Sequence, residues 1–270
     1  MITETKALLD SLQAAPLLVG DLAEAAVLDR AFLGGCVADG VELNFKQKLG
    51  HLYEDALECL LEASERLDLL ASHVQVVNEA GITLGELDFV LYDRLQQKHV
   101  HLELAVKFYL ATQTSEGWIY PGPDPRDNWQ RKLDRMRSHQ LLLSQRPEAR
   151  RLLKDRLNID VVEVRQLIYG RLFSPLISAG SPLPDAIAPD AQRGRWLYVR
   201  EWQSWFSEVS EVCLVPKSLW PVVLTSDLKS ELRRVGAVEL LSLAEERCTM
   251  FVLPDSVEPF FLVPNDWQAH

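Results

Sequence analysis

Three carboxylates and one lysine stand at strand spacing within one short stretch of this chain. From Leu84 to Leu110 it reads LGELDFVLYDRLQQKHVHLELAVKFYL. Two apolar, β-rich runs flank a polar turn from Asp93 to Lys98, which predicts a hairpin. Alternate residues of a strand share a face, so Glu86 and Asp88 lie together on the first run. His101, Glu103, Ala105 and Lys107 lie together on the second. Most other positions are apolar, and charge buried in such a setting costs several kcal/mol unless it is paired or bound to metal. The pattern predicts a divalent-metal site with a positive charge beside it. Hard Mg²⁺ takes carboxylate oxygens, and such an ion stabilises negative charge that develops on oxygen. Asp88 and Glu103 would stand about 5 Å apart if paired across the strands. Glu86 could join them, and Lys107 would face the developing negative charge. His101 offers another ligand, although a lone strand histidine more often packs or hydrogen-bonds.

The elements that must position these groups are legible from periodicity. An amphipathic helix is predicted over about 47–70, with Leu52, Tyr53, Ala56, Leu57, Leu60 and Leu61 on its apolar face. Residues 72–79 predict a strand before the hairpin. A Gly/Pro-rich loop, 115–128, follows it, and Asp127 or Asn128 can N-cap a helix over 129–144. That helix carries Lys132, Arg135, Arg137, His139 and Gln140. A short helix at 148–157 and a strand at 159–169 complete the order helix, strand, strand, strand, helix, strand. Outside this block, 3–14 and 21–33 predict helices. Residues 174–194 form a Pro/Gly/Ser-rich connector. In the tail, 227–247 predicts a helix, and 248–253 with 258–263 a strand pair.

GELDFVL is similar to the GEIDLI-type strand of the PD-(D/E)XK nuclease superfamily, and HLELAVK to the (D/E)-x-K strand that follows it. LGHLYEDALECLL, TLGELDF, HLELAVKFYL and KLDRMRSHQLLLS further resemble a bacterial family described as domain of unknown function 1853. The narrower likeness spans most of the chain, the superfamily likeness about 46–170. The resemblance implies an α/β, restriction-endonuclease-like core at 46–173, a mixed sheet flanked by helices. An N-terminal helical segment (1–45) would precede it, and a C-terminal α/β extension (195–270) would pack on it. It implies a metal-dependent DNA phosphodiesterase using Mg²⁺ or Mn²⁺, with Asp88, Glu103 and Glu86 as ligands and Lys107 as the charge stabiliser. Glu54 matches the accessory acid of the preceding helix, with Glu58 one turn on. The departure is at the lysine. Ala105 stands two residues after Glu103, and Lys107 comes four after it, roughly 13 Å along a strand. A bulge could close part of that gap. A second register aligns Lys107 and leaves Ala105 at the acid position, and a third gives the role to Lys132. A retained fold with a repurposed site, a protein that binds nucleic acid or a protein partner without cutting, is the alternative.

The net charge of −11 argues against a surface coated for nucleic acid. The charge is uneven, however. From Arg126 to Arg156 ten Lys/Arg meet four Asp/Glu, so this segment is +6 and the remainder −17. Lys132, Arg135, Arg137 and Gln140 are the candidate DNA contacts there; the competing reading is a solvated face balancing acidic neighbours. Cys36, Cys59, Cys213 and Cys248 are widely separated, which predicts free thiols in a cytoplasmic protein. No apolar run reaches a membrane span and no signal peptide is evident. Absence of P-loop, dinucleotide-fingerprint and nucleophile-elbow motifs argues against ATP hydrolysis, dinucleotide chemistry and that type of serine hydrolase. Five of seven tryptophans fall in the tail, where core packing is favoured over base stacking. The sequence carries no signal for oligomeric state.

Overall fold

A computed structural model describes residues 2–33, 40–178 and 180–267. Its helices are α1 (Ile2–Ala14), α2 (Leu49–Glu62), α3 (Trp129–Arg135), α4 (Pro147–Leu157), α5 (Trp202–Phe206), α6 (Ser226–Glu231) and α7 (Ala237–Glu246). The first strands are β1 (Ala26–Val27), β2 (Leu67–Val77), β3 (Thr83–Asp93), β4 (Lys98–Leu110), β5 (Thr112–Thr114), β6 (Gly117–Ile119) and β7 (Val162–Pro175). The later ones are β8 (Arg193–Tyr198), β9 (Glu211–Val215), β10 (Arg234–Gly236), β11 (Thr249–Val252) and β12 (Pro259–Val263). This is an α/β architecture on one large mixed sheet, ordered β10-β9-β11-β12-β8-β7-β4-β3-β2, with β1 pairing β7 and β5–β6 forming a separate small hairpin.

The predicted hairpin is β3–β4, antiparallel from Asp93↔Lys98 to Phe89↔Leu102. β4 then runs parallel to β7 over twelve residue pairs, His99↔Val162 to Leu110↔Phe173. Burial separates the two layers on either side of the sheet. Leu8 and Leu12 of α1 and Leu52, Tyr53 and Leu57 of α2 pack with Leu102, Leu104 and Phe108 of β4. On the other side Trp129 and Leu133 of α3 pack with Tyr109 and Ile168, and Ala149 and Leu153 of α4 with Val90. Burying a side chain of this size contributes roughly 1.5–3 kcal/mol, so these contacts fix the strands under the helices.

Several sequence expectations change. Residues 21–33 form no α-helix, only a 3-10 turn at Arg30–Phe32. The Asp21 carboxylate accepts the Val27 N–H at 2.7 Å, and Ala26 and Val27 pair with Arg165 and Gln166 of β7. A side-chain acceptor and a sheet partner there outcompete helical hydrogen bonds. The helix expected over 47–70 stops at Glu62, because the Ser64 hydroxyl accepts the N–H groups of Arg66 and Leu67 and turns the chain into β2. Arg66 then clamps Asp93 at the far end of β3. The helix over 129–144 stays α-helical to Arg135 and widens into a π-type turn at Met136–Gln140. β7 runs to Pro175, so the connector begins inside a strand and ends in β8. The helix expected over 227–247 is two helices separated by β10. Tail tryptophans Trp196, Trp202, Trp220 and Trp267 are buried, while Trp205 is half exposed. Cys59, Cys213 and Cys248 are free thiols; Cys36 lies outside the described residues. Among the described residues no helix is long and apolar enough to cross a membrane.

Candidate functional site

The β3–β4 ladder ends at Phe89↔Leu102, one residue short of Asp88 and Glu103. Beyond that pair β3 keeps only β2 as a partner, while β4 continues beside β7. Where the strands part, an Asp88 carboxylate oxygen accepts the Leu104 N–H at 2.8 Å, replacing a lost ladder bond. The facing of β3 also changes there. Phe89 and Leu91 pack toward α2, whereas Leu87 packs with Val76 and Val90 toward α4. Residues two apart normally share a face, so the strand turns over at Asp88. On β2 the residue between the pairs Ser72↔Phe89 and Val74↔Leu87 is His73, whose φ of 52° is left-handed. Asp88 therefore sits at a pivot between both layers.

Acidic groups converge on that pivot. Glu86 comes from the same strand, Glu103 from β4 and Glu54 from α2. Burial pushes the Asp88 carboxyl up to about 8; the Glu103 charge adds to this, the Leu104 N–H opposes it, and Glu54 and Glu86 raise it further. His73 joins the two outer acids, its Nδ1 lying 3.1 Å from Glu86 Oε1 and 3.9 Å from Glu54 Oε2. His51 Nδ1 meets Glu54 Oε2 at 2.9 Å. Glu58 is drawn away from this group and accepts from the Ser72 hydroxyl at 3.1 Å.

Glu103 is buried and held from both sides. His101 Nε2 lies 2.8 Å from its Oε1, and the His101 Nδ1 meets the Ser144 hydroxyl at 3.2 Å. The sequence expectation that His101 serves as a hydrogen-bonding residue fits this geometry. Gln140 Nε2 donates to Glu103 Oε2 at 3.4 Å, and Gln140 Oε1 accepts from Lys132 Nζ at 2.6 Å. The π-type turn at Met136–Gln140 contains Gln140, a residue expected to contact DNA. Desolvation lowers Lys132 to about 8; Lys107 lowers it further, while Asp127 and Glu103 act in the opposite direction.

Lys107 does not pair with Glu103. Its Nζ is 3.6 Å from Asp127 Oδ2, at the end of the loop before α3. Asn128 takes the N-cap, accepting the Gln130 N–H at 3.0 Å, so the Asp127 carboxylate is not the cap of α3. β7 passes the Lys107 backbone closely at Gly170, which has φ of 144°; a Cβ there would stand 1.7 Å from the Lys107 carbonyl oxygen. Asp88, Glu86, Lys107 and Lys132 open onto one cleft of about 1080 Å³, and Arg126, Arg131, Arg135, His139 and Arg146 also line it. Of the expected DNA contacts, Lys132, Arg135 and Gln140 line the cleft; Arg137 instead meets Glu24 at 2.9 Å. His73, Arg131 and Arg146 were not singled out from the sequence, and Asp127 only as a possible helix cap. Arg131 and Arg146 lay in the basic segment, but only the fold separates the arginines that line the cleft from those that do not.

The donor set suits a divalent cation of the Mg²⁺ type in one respect: burial, and after it the charge of Glu103, leaves the Asp88 carboxyl reluctant to ionise unaided, and Mg²⁺ commonly takes one or two carboxylates and completes its shell with water. Among the described residues no group of three or more His, Cys, Asp or Glu forms a ready-made metal cluster. Compared with family models, residues 3–253 match the one described as Domain of unknown function (DUF1853). No curated protein and no solved structure matches the chain.

Proposed function

The chain belongs to this family of unknown function, and from that premise we propose that it is a metal-dependent DNA phosphodiesterase, a nuclease, with Asp88 and Glu103 as its metal-holding pair. The observation that carries the reading is the burial of the Asp88 carboxyl with the charges of Glu103, Glu54 and Glu86 acting on it, at the point where β3 and β4 part and on the wall of a cleft edged by arginines. Like charges gathered in a poorly solvated place are costly, and a cation is what relieves them. The order α2, β2, β3, β4, α3, β7, with β2–β3–β4 antiparallel and β7 parallel to β4, also resembles the PD-(D/E)XK core.

On this reading Asp88 and Glu103 hold Mg²⁺ or Mn²⁺, with Glu86 and Glu54 adding negative charge, and the ion supplies Lewis-acid stabilisation of a phosphoryl oxygen. The chain's own residues do the rest. Gln140 ties Glu103 to Lys132, Lys107 and Lys132 offer positive charge to the phosphate, and Arg131, Arg135 and Arg146 receive the neighbouring backbone. Calorimetric titration with Mn²⁺ and cleavage assays on single-stranded, duplex and branched DNA test this directly. Wild-type protein should bind Mn²⁺ and cut at least one form, and Asp88→Asn and Glu103→Gln should do neither. Wild-type protein that neither binds Mn²⁺ nor cuts would refute the reading. The pairing of Lys107 with Asp127 favours a second reading, a non-catalytic nucleic-acid- or protein-binding protein on the same fold. Salt-dependent DNA binding without cleavage would select its nucleic-acid form.

A further inference from the structure

We infer that Asp127 is a built-in competitor for the phosphate position of the cleft, a carboxylate that a ligand's phosphate must displace from Lys107. The inference rests on the cleft accepting phosphate, the part of the foregoing reading that needs no metal. Three observations support it. First, Lys107 and Lys132 line the same cleft and act on each other as like charges, so the space between them favours an anion. Second, the group that answers both is Asp127. It lies 3.6 Å from Lys107 Nζ, and its charge also acts on Lys132. Third, the Asp127 backbone is fixed, so its carboxylate is delivered to this place by design of the loop. Its N–H donates to the Asp124 carbonyl and its own carbonyl accepts from the Gly122 N–H, both at 2.9 Å. The loop is pinned in turn by the Trp267 indole, which donates to the Pro123 carbonyl at 3.2 Å.

Displacement therefore leaves the Asp127 backbone in place and turns its side chain away from Lys107 and from the neighbouring buried Tyr109 hydroxyl, on which it also acts. The Lys107–Asp127 pair is partly exposed, with about a third of each side chain accessible. Pairs of this kind are weak, typically worth at most a fewfold in an equilibrium. A single phosphate group gains little by replacing such a carboxylate. A ligand carrying several phosphates also meets the Arg131, Arg135 and Arg146 side chains and gains more. Asp127 thus acts as a specificity determinant, raising the threshold for small anions while admitting a polyanionic backbone.

The test is calorimetric titration of the full chain with inorganic phosphate, without divalent metal, at low salt. Asp127→Asn should bind phosphate about fivefold more tightly than wild type, the scale of one partly exposed ion pair. Asp134→Asn is the control. Asp134 lines the same cleft but its carboxylate engages Gln130, at 3.1 Å, so removing its charge should change phosphate binding less than twofold. The gain should disappear in Lys107→Met/Asp127→Asn, as a coupled pair requires. Should Asp127→Asn fold poorly by circular dichroism, Asp127→Ser serves the same comparison. Equal gains in Asp127→Asn and Asp134→Asn would overturn the proposal, since the effect would be net charge alone. Absence of a gain at Asp127, or its persistence without Lys107, would overturn it too. Cleavage is not read, so failure of the nuclease reading leaves these outcomes intact.

Discussion

Asp88→Asn removes a charge from the pivot while keeping the side-chain volume and an oxygen that can still accept the Leu104 N–H. In the folded chain the Asp88 carboxyl keeps its proton up to about 8, against an ordinary value of 3.8. Between those values the unfolded chain has released the proton and the folded chain still holds it. Raising the pH therefore favours unfolding, and the cost grows from about pH 4 and is complete above about pH 8. Each tenfold change in proton affinity corresponds to about 1.4 kcal/mol, so the full span gives an upper bound of roughly 6 kcal/mol. Because Glu103 shares the crowding, the expected loss from pH 5 to pH 8 is roughly 2–4 kcal/mol. Asn has no proton to release and should not show this slope. Urea unfolding of both proteins at pH 5 and pH 8, without divalent ions, measures it. Asp88→Asn should gain that 2–4 kcal/mol relative to wild type between the two pH values. Added Mn²⁺ should restore wild type at pH 8, by about 2.7 kcal/mol at a hundredfold excess over Kd, and leave the variant unchanged. Parallel pH profiles for the two proteins would refute the claim that Asp88 is the crowded group.

Lys107→Met should fold and bind Mn²⁺ normally but cut about 100–1000-fold more slowly, as loss of one charge-stabilising donor requires; normal cutting would transfer the role to Lys132. Replacing Arg131, Arg135 and Arg146 with alanine should flatten the logarithmic salt dependence of DNA binding by about 2.7, at roughly 0.9 per duplex phosphate contact. Arg137→Ala should leave that slope unchanged, because Arg137 is turned to Glu24; a flattened slope would place Arg137 in the interface. Gly170→Ala should cost more than about 3 kcal/mol by thermal or urea unfolding, because its Cβ runs into the Lys107 carbonyl and φ is left-handed. Wild-type stability in that variant would mean the two strands can separate cheaply.

The hairpin was legible because alternation over eleven and thirteen residues is a strong signal, but the turnover of β3 at Asp88 was not. Glu54 came from the family resemblance rather than from periodicity, and in the folded chain its charge acts on Asp88. Residues 21–33 misled because their apolar spacing fits a helix, while the Asp21 acceptor and the free edge of β7 exist only in the folded chain. His73 was illegible for a related reason. Its value comes from a left-handed backbone opposite Asp88, and nothing in SHVQVV announces that turn. Asp127 was noticed only as one of two possible helix caps, and once Asn128 takes that position its neighbour acquires another use. The family pattern left three placements for the lysine, two at Lys107 and one at Lys132. What the sequence could not show is that Lys107 meets Asp127, on a loop about twenty residues away.

The twelve-pair parallel ladder between β4 and β7 also governs the order in which the molecule can be assembled. The partners of Glu103 and Lys107 on that ladder, Gln166 and Gly170, lie more than sixty residues downstream. Until that later strand docks, β4 presents a long apolar edge with unpaired amides, a template for wrong pairing between chains. Non-local parallel pairing is slow because chain closure precedes any reward. The acidic pivot is therefore completed late in folding, yet it rests on an inner ladder of the finished sheet. Pulse-labelled hydrogen exchange during refolding should find the β4 amides that face β7 protected after the amides of α2, and native-state exchange should find them among the slowest to open.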